Sequence, residues 1–586
     1  MILFFFFLAA LFSCGGQPKD LGARVSNEPQ DDPELTLLRL NPGVRFHRAR
    51  IAGQIRRAIP YTPGDKLNLD PALLKFKFCF GILPEYFSQY QEPVAVKISA
   101  RTGQGEEVVW SQSISPQDAC AWMPVEVKLS KKPESLWLSS DVRDYGLVLT
   151  PAIGSARGKP AKPTIVFILV DALRADHLGA YGCARNTSPN IDALARSGTL
   201  FLNAQTASPF TVTSLTSFFT GMSPWEHKVI FNYNLILGEN VVTLAQKMRE
   251  DGYSTAGFSG TYFHLSDFGL DRGFDFFDES CAHRFFSGDA ECLSANIISW
   301  VEQNPQRPLF LYFHFTPTHA PYNPPDQYKS LFSQGLFKPE GEVGQGDIER
   351  FSSSRKWYQL RRAPTQDELA WLISQYDGEI RYADDQIARV LKKLKAAGIS
   401  DPLVIITADH GEGFYEHGFM EHSEELHWEV MRIPLIISGP GIPAGQRFKT
   451  FVRSYDLAPS ILDYAGATAL AAASGLSFRP LLRGQREDIE RIGYGIIYEA
   501  RNRYQISITR YPCRLLAWEP GDKNMELFNV EADPGEQNNL LSVQPEILKQ
   551  LLKLAPNHKL ILSQKPAPSC GQKRTRDRLK ALHYLK

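Results

Sequence analysis

Asp171 stands directly after the β-branched run Thr164–Val170 (TIVFILV). Asp409 and His410 follow a second apolar run, Leu403–Thr407. Between them in the chain, Thr211 comes after Ser208-Pro209-Phe210 and just before Ser214–Thr220, which reads as a short helix stopped by Gly221. Two carboxylates, an imidazole and a hydroxyl oxygen form a donor set for one divalent cation. Its mixture of oxygen and nitrogen suits Zn2+ or Mn2+ better than Ca2+, which prefers an all-oxygen set and is the less suited alternative. A free threonine hydroxyl is a poor nucleophile. Coordination would lower its pKa and neutralise an incoming anion. A hydroxyl at a helix start also faces free backbone amides and a dipole that favours anions. The chemistry expected is therefore metal-assisted transfer of an anionic group, with Asp171, Thr211, Asp409 and His410 as metal ligands.

These residues meet only if the two apolar runs are nearby strands that end at one edge. Thr164–Val170, bounded by Pro163 and a polar turn, reads as a buried central strand, and ligands of open α/β sheets bind at its carboxyl edge. Helical patterns at Ser188–Arg196, Val241–Arg249 and Asp367–Ala397 alternate with strand-like runs at Ser254–Phe258, Pro308–Phe315 and Ile433–Ser438. The fold class expected is α/β, with a doubly wound, mostly parallel sheet. Strand segments after Phe478 and a helix from Pro545 add a small C-terminal α+β subdomain. Before the catalytic unit, short alternating segments between Val94 and Leu149 read as a β-sandwich-like N-terminal domain, taken as a spacer.

The 586 residues carry 64 Lys+Arg against 64 Asp+Glu, a balance that gives no reason to expect nucleic acid as a partner. Residues 1–14 form an apolar leader too short to span a bilayer. Its end, Leu11-Phe12-Ser13-Cys14, resembles the cleavage box of bacterial lipoproteins, although no Lys or Arg precedes Cys14. That resemblance implies export, a lipid on Cys14 as membrane anchor, and a place in the bacterial cell envelope. The divisions expected are a tether at 15–35, the β-rich domain at 36–155, a linker at 156–163, the catalytic domain at 164–484, the C-terminal subdomain at 485–556 and a basic tail at 557–586. Residues 323–364 read as a surface excursion near the site entrance. Of the seven cysteines beyond the leader, Cys79 with Cys120 and Cys281 with Cys292 are candidate bridges in an oxidising compartment.

ILVDALRADHLGAYG, TSPNIDALA, TVTSLTSFFTG, TADHGEGFYEHG, IPLIISGPG, YDLAPSILDYAG and ELFNVEADPGEQNN follow one another between residues 164 and 540. In that order the chain resembles the sulfatase branch of the alkaline phosphatase superfamily. The resemblance implies the doubly wound α/β fold, a divalent metal, a covalent ester intermediate and an anionic ester substrate. Asp171, Asp409 and His410 fall on family metal ligands. Thr211 falls where sulfatases hold the cysteine that becomes formylglycine. His264 in TYFHLS resembles the histidine of the KWHLG motif, His319 in TPTHAPYNPP a substrate-anion histidine, and His422 in MEHSEELHWE the late histidine of phosphoesterase-like members. His314 and His417 read as structural, and Arg174 and Asp176 as local salt-bridge or turn residues.

The Cys-x-Pro-Ser-Arg box of the family reads Thr211-Val-Thr-Ser-Leu215 here. Formylglycine cannot form on threonine, and the box arginine is replaced by Leu215. Ala172 replaces the second aspartate of the common Asp-Asp pair, and His410 the asparagine of Asp-Asn. These departures resemble relatives that use a threonine alkoxide. The function expected is a metal-dependent hydrolase of sulfate or phosphate esters with Thr211 as nucleophile and His264, His319 and His422 as candidate proton donors, phosphoryl substrates being favoured. The alternatives are a phosphoethanolamine- or phosphoglycerol-type transferase and a non-catalytic surface lipoprotein that keeps the fold.

Overall fold

The computed structural model describes residues 47–555 apart from internal stretches, the longest being 155–161 and 337–362. The leader, Cys14, the tether, most of the linker and the basic tail lie outside the described residues. So do Cys120, Cys570 and the middle of the 323–364 excursion.

Ile165–Val170 is fully buried and sits in the middle of the main sheet. It runs parallel to Leu309–Phe315 on one side and to Leu403–Thr407 on the other. Ser254–Ser259 and Phe276–Asp278 continue the parallel set outward. Beyond Leu403–Thr407, Arg432–Ser438 runs antiparallel, followed by Thr199–Gln205 and Gln446–Arg453. A strand buried on both faces needs apolar side chains along its length, which is what IVFILV, LFLYFHF and LVIIT supply, apart from His314 in the second and Thr407, whose hydroxyl donates to the Pro434 carbonyl, at the end of the third.

Alternation along the strands assigns the two helix layers. Phe167 and Tyr312, in register, pack against Phe218 and Phe219 of the helix Thr211–Thr220. Phe313, one residue on, points the other way. It packs with Phe258, whose ring meets Trp300 of the helix Ala290–Gln303. The 31-residue helix Gln366–Ala396 lies on that second face, against Ala290–Gln303 and Pro189–Ser197. Asp171 shares the parity of Phe167, and Asp409 that of Ile405, which is registered with Phe167. Both therefore project toward the Thr211 helix. That helix starts at Thr211, three residues earlier than its sequence pattern suggested, because Phe210 already takes the extended capping conformation.

The N-terminal β-rich module is a two-layer sandwich. Leu67–Leu69, Ser135–Ser140, Val94–Thr102 and Gly105–Ile114 form one sheet, whose buried side chains share a core with Phe76, Phe78, Phe80 and Ile82 of the other layer. That other layer is continuous with the main sheet, because Gln54–Pro60 pairs antiparallel with Phe276–Asp278. The module is thus built onto the main sheet. At the other end, four antiparallel strands from Ile492 to Asn529 and the helix Pro545–Lys553 make the C-terminal subdomain. Cys281 and Cys292 are disulfide-bonded, whereas Cys79 is a free thiol hydrogen-bonded by Arg56 at 3.0 Å. Among the described residues no helix is long and apolar enough to cross a membrane.

Candidate active site

The carboxyl edge of the central strand is fixed from several sides. The Asp171 amide donates to the Phe315 carbonyl at 2.8 Å, and the Thr318 hydroxyl donates to the Asp171 carbonyl. The chain then turns through Ala172 at φ 53°, a left-handed conformation that non-glycine residues seldom adopt. Tyr376, on the long helix, holds that turn: its hydroxyl donates to the Ala172 carbonyl at 2.7 Å and accepts the Arg174 amide at 2.8 Å. The Ala172 amide reaches the neighbouring strand edge, donating to Asp409 Oδ1 at 3.1 Å, and the His410 amide donates to the same oxygen at 3.0 Å. Asp171 and Asp409 are in this way locked together through the backbone. Arg174 pairs with Asp176, as its sequence position suggested, and also with Glu416.

Thr211 is buried at the first turn of its helix with Oγ1 3.4 Å from His410 Nε2. Its neighbours are committed differently. Ser214 donates to the Asp409 carbonyl at 2.7 Å, tying the helix to that loop, and Thr213 Oγ1 is buried without a hydrogen-bond partner. Of these three hydroxyls, the Thr211 hydroxyl is the one directed at His410.

His410 decides what the cluster is for. Its Nδ1 lies 2.9 Å from the Gly411 carbonyl, an acceptor, so Nδ1 carries the proton and Nε2 presents a lone pair. Burial lowers its pKa to about 4, which keeps the ring neutral. That lone pair sits 3.3 Å from Asp409 Oδ2 and 3.8 Å from Asp171 Oδ1, two buried oxygens that receive no hydrogen bond. Burial, then the Asp171 charge, push the Asp409 carboxyl above its ordinary value. Burial would raise Asp171 as well, but the His314 hydrogen bond and the nearby histidines hold it below its ordinary value. Electron pairs from two carboxylates, an imidazole and a hydroxyl thus converge in a dry site with no positive charge among them. A divalent cation is the group such a set fits.

The remaining histidines divide. The His422 ring lies 4.2 Å from that of His410 and 4.9 Å from that of His319. His422 Nδ1 is 3.0 Å from Glu412 Oε1, and burial, then the neighbouring His319, lower its pKa to about 3. Burial pushes Glu412 up to about 8. His264 is held elsewhere, with Nδ1 3.3 Å from Glu279 Oε2 and 3.4 Å from Arg50 of the N-terminal module. The neighbouring Phe263 packs its ring on that of Phe210, which precedes Thr211, at 5.5 Å. His314, read from sequence as structural, faces the cluster: its Nε2 is 3.2 Å from Asp171 Oδ2, and its side chain is fully buried. The available signal was a lone histidine inside an otherwise apolar strand.

The sulfatase family model matches residues 163–467, just over half of the chain. The chain belongs to the sulfatase family. A second model, N-sulphoglucosamine sulphohydrolase C-terminal, matches residues 413–557 of this sulfatase-family hydrolase. The chain is 26% identical over 423 residues to a Delta 4,5-hexuronate-2-O-sulfatase of Bacteroides thetaiotaomicron, covering 66% of this chain and 86% of the relative. It is 24% identical to an arylsulfatase of Clostridium perfringens, covering 65% and 90%. The crystal structure of a phosphonate monoester hydrolase of Agrobacterium radiobacter shares the fold, with TM-score 0.53, 19% identity, and 69% and 95% of the two chains covered.

Proposed function

We propose that this sulfatase-family hydrolase works through a threonine nucleophile and favours phosphoryl over sulfuryl esters. The observation that carries the reading is the convergence of Thr211 Oγ1 and the His410 lone pair on the bare oxygens of Asp171 and Asp409. Asp171, Asp409, His410 and Thr211 would hold one divalent ion. When bound, it would lower the pKa of the hydroxyl and neutralise the anionic ester. Thr211 Oγ attacks the central phosphorus or sulfur in line, forming a covalent ester as the bond to the leaving oxygen breaks. The helix start offers its backbone amides to the equatorial oxygens. His422, beside His410, and His319, beside His422, are the candidates to protonate the leaving oxygen, with His264 more remote. Water then releases the product. The preference for phosphoryl groups rests on Thr211 at the formylglycine position and on the apolar, fully buried Leu215 where the family box holds arginine. The leader and Cys14 support export and a lipid anchor in the cell envelope.

The test is turnover of aryl sulfate, phosphate monoester, phosphodiester and phosphonate substrates by wild type and Thr211→Ala. The variant is expected to lose at least about a thousandfold in kcat while still binding metal. Near wild-type turnover by the variant, or hydrolysis of sulfate esters alone, contradicts the reading.

A further inference from the structure

We propose that His314 is itself a ligand of the divalent ion, so that the centre carries two imidazoles and selects a zinc-like transition metal over Ca2+ or Mg2+. The inference rests on the metal-dependent reading above and extends it to a residue on a third strand.

Leu309–Phe315 lies beside the central strand with His314 registered to Leu169. Residues 169 and 171 share a face, so His314 and Asp171 project from the same side of the sheet. A ring nitrogen of His314 and an oxygen of each of Asp171 and Asp409 all lie within 4.8 Å of one another. Donors at about 2.0–2.2 Å around one tetrahedral zinc ion lie about 3.3–3.6 Å apart. Small side-chain rotations would therefore place all three on one ion. Each carboxylate carries a buried oxygen without a hydrogen-bond partner, Asp171 Oδ1 and Asp409 Oδ2, and His314 Nε2 lies 3.2 Å from the other oxygen of Asp171. A fully buried imidazole in an otherwise apolar strand costs stability unless it is paired or metal-bound. Its one partner here is the carboxylate already assigned to the cation. Ala172, in the turn after Asp171, offers only a methyl group, so the chain supplies no further side-chain donor at that position. Two nitrogens among the donors shift preference from hard, oxygen-seeking cations to Zn2+ and its neighbours.

The test is X-ray absorption on Zn2+-loaded protein, which counts imidazole ligands without reference to activity. Two imidazoles are expected in wild type and one in His314→Phe. Zn2+ affinity should fall in that variant by more than the roughly 10–100-fold that loss of an outer hydrogen-bond partner costs. His314→Asp is expected to regain affinity with its preference moved toward Mn2+ or Ca2+. A single imidazole in wild type overturns the proposal even if the variants fail to fold, as does an unchanged count in His314→Phe. Asp171→Asn separates the two readings. If it empties the centre while wild type shows one imidazole, the role of His314 falls alone. If Zn2+ affinity is unchanged in Asp171→Asn, the assignment of the ion to this centre falls with it.

Discussion

The hydroxyl of Tyr376 bonds both ends of the turn that carries Asp171 out of the central strand, and it is fully buried. Tyr376→Phe leaves the Arg174 amide and the Ala172 carbonyl without that partner. The expected cost is about 1–3 kcal/mol in urea unfolding, with a fall in turnover larger than the stability loss explains, because the turn also donates to Asp409. Unchanged stability would show that water replaces the hydroxyl. At this scale the sequence was readable where a chemical group follows a strand: Asp171, Asp409 and His410 each do. It was less readable for His314 and Tyr376. Their side chains act through register between strands and through one face of a long helix, and neither is visible in local spacing.

At the scale of elements, the C-terminal subdomain is joined to the active-site loop by buried ionic contacts. His427 Nδ1 lies 3.0 Å from Glu536 and its Nε2 3.1 Å from Glu425, with Glu526 at 3.8 Å, and its ring stacks on His417 at 3.6 Å. Glu536 is also bonded by the fully buried Arg514, and His417 pairs with Glu429. Burial alone would lower the His427 pKa, but Glu425 and Glu536 raise it to about 9. A histidine whose folded pKa is raised contributes stability that is complete below its unfolded value near 6.5 and is lost as pH rises through 9. The difference in unfolding free energy between wild type and His427→Gln is expected to shrink by about 3 kcal/mol between pH 6 and 10. A difference that stays constant with pH would mean that His427 is neutral in the folded protein. The strands and helices themselves were legible to within a few residues, because apolar runs and caps are local. The start of the Thr211 helix was not, since the capping conformation of Phe210 leaves no mark in residue type.

At the scale of the whole molecule, sequence reading reached the order of domains but not their joint. The alternating strands of residues 36–155 predict a sandwich, yet nothing local says that Gln54–Pro60 will pair with Phe276–Asp278 and extend the catalytic sheet. Pairing across more than 200 residues is a tertiary outcome. Through it Arg50, on His47–Ile51, reaches His264 and Glu279, so the N-terminal module borders the catalytic unit. Cys79 shows the same limit: a neighbour that suits a thiol, Arg56, is set by strand packing rather than by cysteine spacing.

The central claim is that Thr211, poised on a cation between two strand edges, becomes covalently esterified during turnover. Acid quenching of the enzyme with a slowly hydrolysed phosphodiester or phosphonate, followed by peptide mass spectrometry, reads this directly. The account predicts the transferred group on Thr211 and its disappearance in Asp409→Asn. Rapid turnover with Thr211 unmodified, or the group on Thr213 or Ser214, would contradict it.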